Sequence, residues 1–389
     1  MGGNDCALAT DEMYMRRALD LARRGAGWVN PNPMVGAVIV RDGCIIGEGW
    51  HTAFGELHAE RQAIAHCVGP TEGATIYVTL EPCCHTGKTP PCTEALIDAG
   101  FARVVMGAPD ANPLVAGKGV ACLRAAGIEV VEGVLRDECV AINRAFFHHI
   151  QTGLPYVTLK YAMTMDGKIA TCAGDSQWIT GPDARLRVHE DRRAAAAIMV
   201  GVNTVLADNP SLTCRVGDFG VDPLPAEYAD VPARYLEPHS PVRIVCDSHV
   251  RTPLESALVQ TARETPTIIA TLADNNDARV EAYRSCGVDV IALPAVDGRI
   301  DLAALMRELG ARGIDSVIVE GGGQLAFSAL SAGIVNRVQA YVGSKIFGGA
   351  EAISPVEGAG FARVADAVCL AHPRVEQLGG DVLIESEVL

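Results

Sequence analysis

The stretch from His58 to Cys92 begins with HAE at residues 58–60 and ends with EPCCHTGKTPPC at residues 81–92. A zinc ion that takes part in a reaction needs three protein ligands and one open coordination position, and His58, Cys83 and Cys92 supply one nitrogen and two sulfurs. Glu60 remains as a carboxylate beside the metal, where it can take a proton from water and return it to a leaving amine. The spacing predicts one catalytic zinc site per chain.

The residues around these motifs predict an α/β fold. The strand TIYVTLE runs into Pro82 and Cys83, and two prolines precede Cys92 at the predicted start of the helix TEALIDAG. The hairpin of VGAVIV and CIIGEGW comes before them, and the strands RVVMGA and IEVVEGV follow with a helix between. Such alternation predicts a layered sheet with helices on both faces. Helix dipole and metal together are expected to lower the pKa of both thiols.

A second α/β region is predicted after the turn TGLP at residues 152–155, so we expect domains at 1–152 and 153–389. PVRIVCD, TPTIIATL, VDVIAL and DSVIVE have the composition of buried strands, with helical segments between them. The stretch from Gly217 to Ser240 is rich in proline and acidic residues and is predicted to be a surface excursion.

Several features of the second region suggest a nucleotide-sized ligand. DSVIVE leads into Gly321–Gly323 and a helix, where backbone amides can approach a phosphate, although a plain tight turn explains the glycines equally well. The segment GVNTVLADNPSLTCR is predicted to be a polar loop that carries binding residues. The turns DGK and FGG also follow predicted strands, and the chain's five lysines all lie in or beside glycine-bearing stretches: Lys88, Lys118, Lys160, Lys168 and Lys345.

The bulk composition excludes several classes of protein. A net charge of −15 at pH 7 argues against a nucleic-acid partner, because phosphate backbones are bound by clustered basic residues. Neither a signal peptide nor an apolar run of membrane length is found, so no membrane partner is expected. The 13 cysteines fit a reducing compartment better than a disulfide scaffold, which predicts a cytoplasmic protein.

The metal motif by itself is compatible with several kinds of protein. The cysteines could be scattered by composition, or the zinc could be structural, with Cys84 or His85 as a fourth ligand. A tRNA adenosine deaminase shares HAE and zinc but needs a basic groove. A zinc-stabilised domain joined to a nucleotide sensor would use the same ligands without turnover.

Over nearly its whole length the sequence resembles the bifunctional riboflavin-biosynthesis enzymes, which join a pyrimidine deaminase to a reductase. The first half matches at PNPMVGAVIV, GEGWHTAFGELHAE, LEPCCHTGKTPPC and PDANPLVAGKG. The second half matches at LKYAMTMDGKIA, SQWITG, GVNTVLADNPSLTCR, IVEGGG and KIFGG. The eight-residue loop between the two cysteines is typical of this family and not of tRNA or cytidine deaminases.

For the first half, the resemblance implies a cytidine-deaminase-like three-layer α/β/α domain. It would hydrolytically deaminate 2,5-diamino-6-(5-phosphoribosylamino)pyrimidin-4(3H)-one to the corresponding aminouracil. His58, Cys83 and Cys92 would hold the zinc ion, and Glu60 would transfer protons. The positions that match substrate contacts are Asn32, His51, His85 and Lys88.

For the second half, the resemblance implies a dihydrofolate-reductase-like α/β domain that uses NADPH to reduce the ribosyl group to ribityl. The positions that match substrate contacts are Lys160, Ser176, Arg192, Leu212, Arg215 and Glu320, with Arg192 and Arg215 as phosphate ligands. Those that match the cofactor side are Ala162, Trp178, Thr204, Asp208, Ser248, Gly322 and Gly323. Lys160 or Asp208 would assist proton transfer. The oligomeric state stays open, with a homo-oligomer as one alternative.

Overall fold

The computed structural model describes residues 2–85, 90–112, 116–215, 239–275 and 277–389, without the side chains of residues 2–8 and 277. Lys88 and all but the end of the Gly217–Ser240 stretch lie outside the described residues. The described residues up to Gly153 form one compact unit, and those from Leu154 onward form a second.

The first unit contains a five-stranded sheet and six helices. Its strands are β1 Gly36–Arg41, β2 Cys44–Trp50, β3 Thr75–Leu80, β4 Arg103–Ala108 and β5 Glu129–Glu132. Its helices are α1 Gly2–Ala22, α2 Ala59–Ala65, α3 Cys92–Asp98, α4 Lys118–Ala125, α5 Arg136–Ile142 and α6 Arg144–Thr152. The strand order is β2-β1-β3-β4-β5, with β1 antiparallel to both of its neighbours and β3, β4 and β5 parallel.

Both faces of this sheet are covered by helices. Ala37 and Ile39 of β1 pack in one apolar cluster with residues of α2, α3 and α4. Val38 and Val40 lie in a second cluster with residues of α1, α5 and α6. This division follows from strand geometry, because successive side chains point to opposite faces. The expected three-layer α/β/α arrangement is confirmed.

The second unit is built on a nine-stranded sheet. Its elements, with the two-stranded β11–β12 hairpin, are β6 Tyr156–Thr164, α7 Pro182–Ala194, β7 Ala197–Gly201, α8 Val202–Asp208, β8 Val242–Cys246, α9 Ala257–Gln260, β9 Thr267–Leu272, α10 Asp277–Ser285, β10 Asp289–Leu293, β11 Ala295–Val296, β12 Arg299–Ile300, α11 Leu302–Ala311, β13 Ser316–Glu320, α12 Gly323–Ser331, β14 Arg337–Gly343, β15 Arg374–Leu378 and β16 Asp381–Glu387. The strand order of the large sheet is β10-β9-β8-β7-β13-β6-β14-β16-β15. The strands from β10 to β14 in this order pair in parallel, whereas β16 pairs antiparallel with both β14 and β15.

The apolar packing of this second unit also lies on both faces of the sheet. Ala197 and Met199 of β7 pack with residues of α11 and α12. Ile198 and Val200 pack with residues of α8, α9 and α10. The expected α/β architecture is therefore present in both halves of the chain.

The segment from Gly201 to Arg215 differs from its prediction. The sequence predicts a polar loop, but the first part of the segment is the helix α8. Val202 and Val205, which lie three residues apart, are buried on one side of this helix. Asn209 ends the helix with a left-handed backbone (φ 43°). Burial of one apolar face thus outweighs the polar composition on which the loop prediction depends.

Candidate active sites

The three predicted metal ligands lie together in the first unit. His58 is the N-cap of α2, Cys83 follows β3, and Cys92 is the first residue of α3. His58 Nδ1 is 3.3 Å from Cys92 Sγ and 3.5 Å from Cys83 Sγ, and all three ligand atoms lie within 4.8 Å of one another.

These distances fit zinc. With bonds of ~2.0 Å to nitrogen and ~2.3 Å to sulfur, ligand atoms of a tetrahedral site lie roughly 3.6 Å apart. Both nitrogen–sulfur distances agree with this value to within a few tenths of an ångström. Among the described residues the cluster has three ligands and no fourth. Neither Cys84 nor His85 joins it, so the structural-zinc alternative lacks its closing ligand.

The two cysteine thiols have shifted pKa values of opposite direction. The pKa of Cys83 is lowered to about 4, and the hydrogen bond that the Cys92 thiol donates to it is the largest cause. The same interaction and burial raise the pKa of Cys92. The Cys83 thiolate beside Cys92 thus opposes ionisation of Cys92 in the metal-free site, and the lowering of both pKa values by helix dipole and bound metal stays a prediction. The sulfurs share one proton, which a dication bound to both would displace.

Glu60 is placed to carry a proton. It lies in the first turn of α2, is only 3% exposed, and its pKa is raised by burial and by the Cys83 thiolate. The helix α2 is held close to β2, since a Cβ on Gly49 would lie 2.4 Å from the amide nitrogen of Ala63 and 2.6 Å from the carbonyl oxygen of Ala59. The Gln62 side chain also accepts a hydrogen bond from the amide of Trp50 at 2.7 Å.

A cavity of about 240 Å³ opens on this cluster. His58, Glu60 and Cys83 line it, and so do three of the four side chains predicted to bind the deaminase substrate: Asn32, His51 and His85. The fourth, Lys88, is outside the described residues. The Nδ1 of His85 is buried and has no hydrogen-bond partner within the described part of the chain. It is therefore available to a ligand.

His51 fixes the orientation of Asn32. Burial lowers the pKa of His51 to about 4, so the ring is neutral at pH 7. Its Nδ1 lies 3.0 Å from the carbonyl oxygen of Leu57, which can only accept, so Nδ1 carries the hydrogen. Nε2 then accepts from the Asn32 side-chain amide at 3.1 Å. The Asn32 side-chain oxygen is left as an acceptor for a ligand.

Sequence reasoning missed other residues that line this cavity, including Asp110 and Asn112. Burial raises the pKa of Asp110 to about 6, and its carboxylate accepts the backbone N–H of Asn112 at 2.8 Å. Glu81 accepts the amides of Gly117 and Val120 at 3.0 and 3.2 Å, which holds the following segment in place. PDAN directly follows β4, so its position at a strand end was the available signal.

A larger cavity of about 780 Å³ lies in the second unit, within the size range of ligand sites. The predicted residues that line it are Ser176, Thr204, Asp208, Ser248 and Gly322. The other predicted reductase residues do not line it: Lys160, Ala162, Trp178, Arg192, Leu212, Arg215, Glu320 and Gly323. The cavity thus brings together four of the seven cofactor positions and one substrate position.

The glycines after β13 have separate roles. Gly321 has φ 129°, and a Cβ there would lie 2.8 Å from the Thr204 hydroxyl oxygen. The Gly322 amide donates to the same oxygen at 3.3 Å. Gly323 packs closely, since a Cβ would lie 2.4 Å from Cγ of Glu357. Backbone groups of this turn therefore form part of the cavity wall. A plain tight turn does not account for the glycines by itself.

Lys160, Arg192 and Glu320 form a buried charged cluster. Arg192 Nε and Nη2 each donate to Glu320 at 2.8 Å, and Lys160 Nζ lies 3.7 Å from the same carboxylate. Burial opposes the charge of Glu320, but both cations outweigh it and lower its pKa to about 2. Burial lowers the pKa of Lys160. Most of the Arg192 fork is thus used within the protein.

The remaining predicted residues differ in exposure. Leu212 is 5% exposed and belongs to the apolar core, so only its backbone can meet a ligand. Arg215 is exposed and donates to the hydroxyls of Ser211 and Thr213 at 3.0 and 3.1 Å. Trp178 is 59% exposed, and Ala162 lies in β6.

The DGK and FGG turns bind each other. The Asp166 carboxylate accepts the amides of Phe347 and Gly348 at 3.2 and 2.7 Å, and Lys168 Nζ donates to the carbonyl of Ala352 at 2.9 Å. Lys345 donates to the carbonyl of Trp178. The glycine and lysine residues of these turns therefore contribute to loop packing.

Comparison with known proteins gives matches in both units. The family model for the cytidine and deoxycytidylate deaminase zinc-binding region matches residues 8–108. The model for the RibD C-terminal domain matches residues 155–384. No helix among the described residues has the length and apolar character needed to cross a membrane.

Curated relatives and solved structures cover almost the whole chain. The riboflavin biosynthesis protein RibD of Actinobacillus pleuropneumoniae is 50% identical over 99% of this chain and 97% of its own length. RibD of Escherichia coli is 40% identical over 96% of this chain and 98% of its own. The crystal structure of the Thermotoga maritima diaminohydroxyphosphoribosylaminopyrimidine deaminase/5-amino-6-(5-phosphoribosylamino)uracil reductase has 36% identity and a TM-score of 0.82, covering 98% of this chain and all of that one.

Proposed function

The chain belongs to the RibD family of bifunctional riboflavin-biosynthesis enzymes, which join a zinc-dependent deaminase to an NADPH-dependent reductase, and on this premise we propose its two reactions. Residues 1–152 deaminate 2,5-diamino-6-(5-phosphoribosylamino)pyrimidin-4(3H)-one, and residues 153–389 then reduce the ribosyl group of the resulting aminouracil to ribityl. The resemblance inferred from the motifs is confirmed, and the tRNA deaminase alternative is excluded. The T. maritima relative, which is named for both activities, supports this choice of substrates.

For the deaminase we propose His58, Cys83 and Cys92 as the zinc ligands. Bound zinc supplies a Lewis acid that activates water for attack on the amino-bearing ring carbon. Glu60 accepts the proton of that water and returns it to the departing amine, so that ammonia leaves. The observation that carries this role is the burial of Glu60 in the same cavity as the ligands, with a raised pKa. A raised pKa makes the carboxylate a stronger proton acceptor.

The other polar side chains of this cavity orient the ring. Asn32 offers an oxygen acceptor, and His85 offers a buried ring nitrogen. His51 contributes mainly by holding Asn32, because its own ring nitrogens lie beside Leu57 and Asn32. We also retain Lys88 as a substrate contact on the strength of its motif. These groups place the reacting carbon, which lowers the entropic part of the barrier.

For the reductase we propose NADPH in the larger cavity, where it supplies hydride to C1 of the opened sugar. The residues on the cofactor side are Ala162, Trp178, Thr204, Asp208, Ser248, Gly322 and Gly323. Those on the substrate side are Lys160, Ser176, Arg192, Leu212, Arg215 and Glu320. The exposed Arg215 is best placed to bind the phosphate, while Arg192 mainly holds Glu320.

A proton must also reach the opened sugar, and Lys160 or Asp208 would supply it. Burial lowers the pKa of Lys160, which makes its ammonium a better proton donor. Glu320, 3.7 Å away, keeps that ammonium in place. Asp208 lines the larger cavity and Lys160 does not, so we keep both residues as candidate donors.

We place the enzyme in the cytoplasm, supported by the free thiols of the described cysteines. A homo-oligomer stays a prediction that analytical ultracentrifugation would test.

The test of the two reactions measures ammonia release and NADPH oxidation in one tube, with the diaminopyrimidinone phosphate as substrate. We expect ammonia without NADPH, and oxidation once NADPH is added. Glu60→Gln should retain zinc and lose ammonia release, whereas Glu56→Gln, at an exposed cavity position, should retain both. Absence of both signals in the zinc-loaded protein would favour the sensor alternative.

A further inference from the structure

Arg243 is a fully buried arginine in the second unit that has no assigned role. It is the second residue of β8 and is 0% exposed. Its guanidinium donates to the carbonyls of Ser211, Leu258 and Thr265 at 3.2, 3.2 and 2.7 Å. It also donates to two threonine hydroxyls, at 2.8 and 2.7 Å. Every one of these acceptors is uncharged.

Burying this cation is costly, because no carboxylate is among those acceptors. Burial lowers the pKa of Arg243 to about 10, so the side chain stays charged at neutral pH. Ile244 and Val245, the next residues of β8, are fully buried aliphatic side chains. An aliphatic residue at 243 would avoid the desolvation cost, so the arginine needs another justification.

That justification is the segment from Ser211 to Arg215, whose first carbonyl Arg243 holds. Leu212 has φ 52°, a left-handed conformation that is unfavourable for leucine and persists only where surrounding contacts impose it. The hydroxyl of Ser211 in turn accepts from Arg215 Nη1 at 3.0 Å. A chain of two contacts thus connects Arg243 with the Arg215 guanidinium.

Other contacts fix the far end of the same segment. The Cys214 amide donates to the Ser240 hydroxyl at 3.2 Å, and the Arg215 amide donates to His189 Nδ1 at 3.3 Å. Arg192 Nη1 approaches the carbonyl of Thr213 at 3.4 Å. Arg243 supplies the anchor at Ser211, so the direction in which Arg215 leaves the segment depends on it.

We propose that Arg243 is a positioning residue of the reductase, which fixes Ser211 so that the segment 211–215 presents Arg215 to the phosphate of the pyrimidine substrate. This rests on the proposed function, in which Arg215 is a substrate contact. Arg243 itself touches neither substrate nor cofactor.

The first test is Arg243→Lys, which keeps the charge and loses the planar fork. The reductase KM for the deaminated pyrimidine phosphate should rise roughly 10- to 100-fold, the range for loss of a hydrogen bond to a charged group. The KM for NADPH and the rate of ammonia release should stay within about twofold, since neither depends on the 211–215 segment. Arg263→Lys is the matched control, because Arg263 is exposed and donates to the carbonyl of Ser285.

The second test separates positioning from a general loss of stability. If Arg243 acts through Arg215, adding Arg243→Lys to an Arg215→Gln variant should raise KM by less than about twofold. The proposal would be overturned if the effects of the two substitutions on KM multiplied in the double variant, or if the KM for NADPH rose equally. An Arg215→Gln variant with unchanged KM would instead refute the substrate role of Arg215 and so remove the premise. A rise with Arg215→Gln and none with Arg243→Lys would refute the positioning role alone.

Discussion

Replacing Glu320 with Gln should destabilise the second unit strongly. The Glu320 side chain is 11% exposed, and its partners Arg192 and Lys160 are 13% and 14% exposed. Glutamine keeps the shape and removes the charge, so two buried cations lose their common partner. Breaking a buried ion pair by removing one side costs ~3–5 kcal/mol.

The pKa of Glu320 gives an independent magnitude. It falls from 4.5 to about 2 on folding, because Arg192 and Lys160 outweigh burial. At ~1.4 kcal/mol for each pKa unit this contributes ~3 kcal/mol to the free energy of unfolding. The contribution is fully present above pH 4.5 and is lost as the pH falls toward 2. At pH 3 about 1.5 kcal/mol should remain.

Native-state hydrogen exchange with peptide resolution measures this change in the full chain. Peptides from β7, Ala197–Gly201, report the opening of the nine-stranded sheet, and peptides from β3, Thr75–Leu80, report the first unit. Glu320→Gln should lower the opening free energy of β7 by ~3–5 kcal/mol at pH 7 and leave β3 unchanged. Glu308→Gln is the matched control. Glu308 pairs with Arg312 at 2.8 Å, but its side chain is 43% exposed, so its loss should cost less than about 1 kcal/mol.

A loss below about 1 kcal/mol in β7 at pH 7, equal to that of the control, would refute the assignment of Glu320 as a buried counter-ion. A loss of the expected size that does not shrink at lower pH would refute its attribution to the carboxylate charge. The full effect at β3 would show that the two units do not open independently.

Three further outcomes are expected. Chelation of zinc should abolish ammonia release and leave NADPH oxidation with the deaminated substrate intact; loss of both activities would contradict the assignment of zinc to the first reaction alone. Burial lowers the pKa of His51 from 6.5 to about 4, so the first unit should lose up to ~3 kcal/mol as the pH falls from 6.5 to 4, and His51→Gln should remove that part of the pH dependence of unfolding. Gly322→Ala meets no atom within 4 Å and should raise the KM for NADPH at unchanged Tm, whereas Gly323→Ala, with Cγ of Glu357 at 2.4 Å, should lower Tm; equal Tm values for the two variants would contradict this packing.

The sequence predicted elements whose own residues define a buried face. All six residues of DSVIVE are buried, and the last five form the strand β13. The helix α8 was missed, because it has only seven residues. Two of them are buried, and its polar residues outnumber these two. The edge strand β15 was not identified either, since its residues are mostly exposed and pairing with β16 determines its conformation.

The site residues likewise divide into those that a local pattern predicts and those that only the fold brings together. His58, Cys83 and Cys92 come from one short stretch, where spacing alone predicted that they meet. The Arg192–Glu320 pair joins residues 128 positions apart, and no local pattern carries that information. The prediction that Arg192 binds phosphate was based only on the type of side chain. In the folded chain the sheet places the Glu320 carboxylate beside Arg192, and most of the Arg192 donors are engaged within the protein.

The position of each site within its sheet explains which residues could be found. Cys83 and Asp110 follow parallel strands of the first unit, β3 and β4. Ser248 and Gly322 follow β8 and β13 of the second. Parallel strands bring their carboxyl ends to one edge, where loops are free of pairing and can carry polar groups. A residue two or three positions past a buried strand is therefore a site candidate before any motif is recognised. This rule does not identify Arg243, because it lies near the start of β8 and is proposed to act on the site through the segment 211–215.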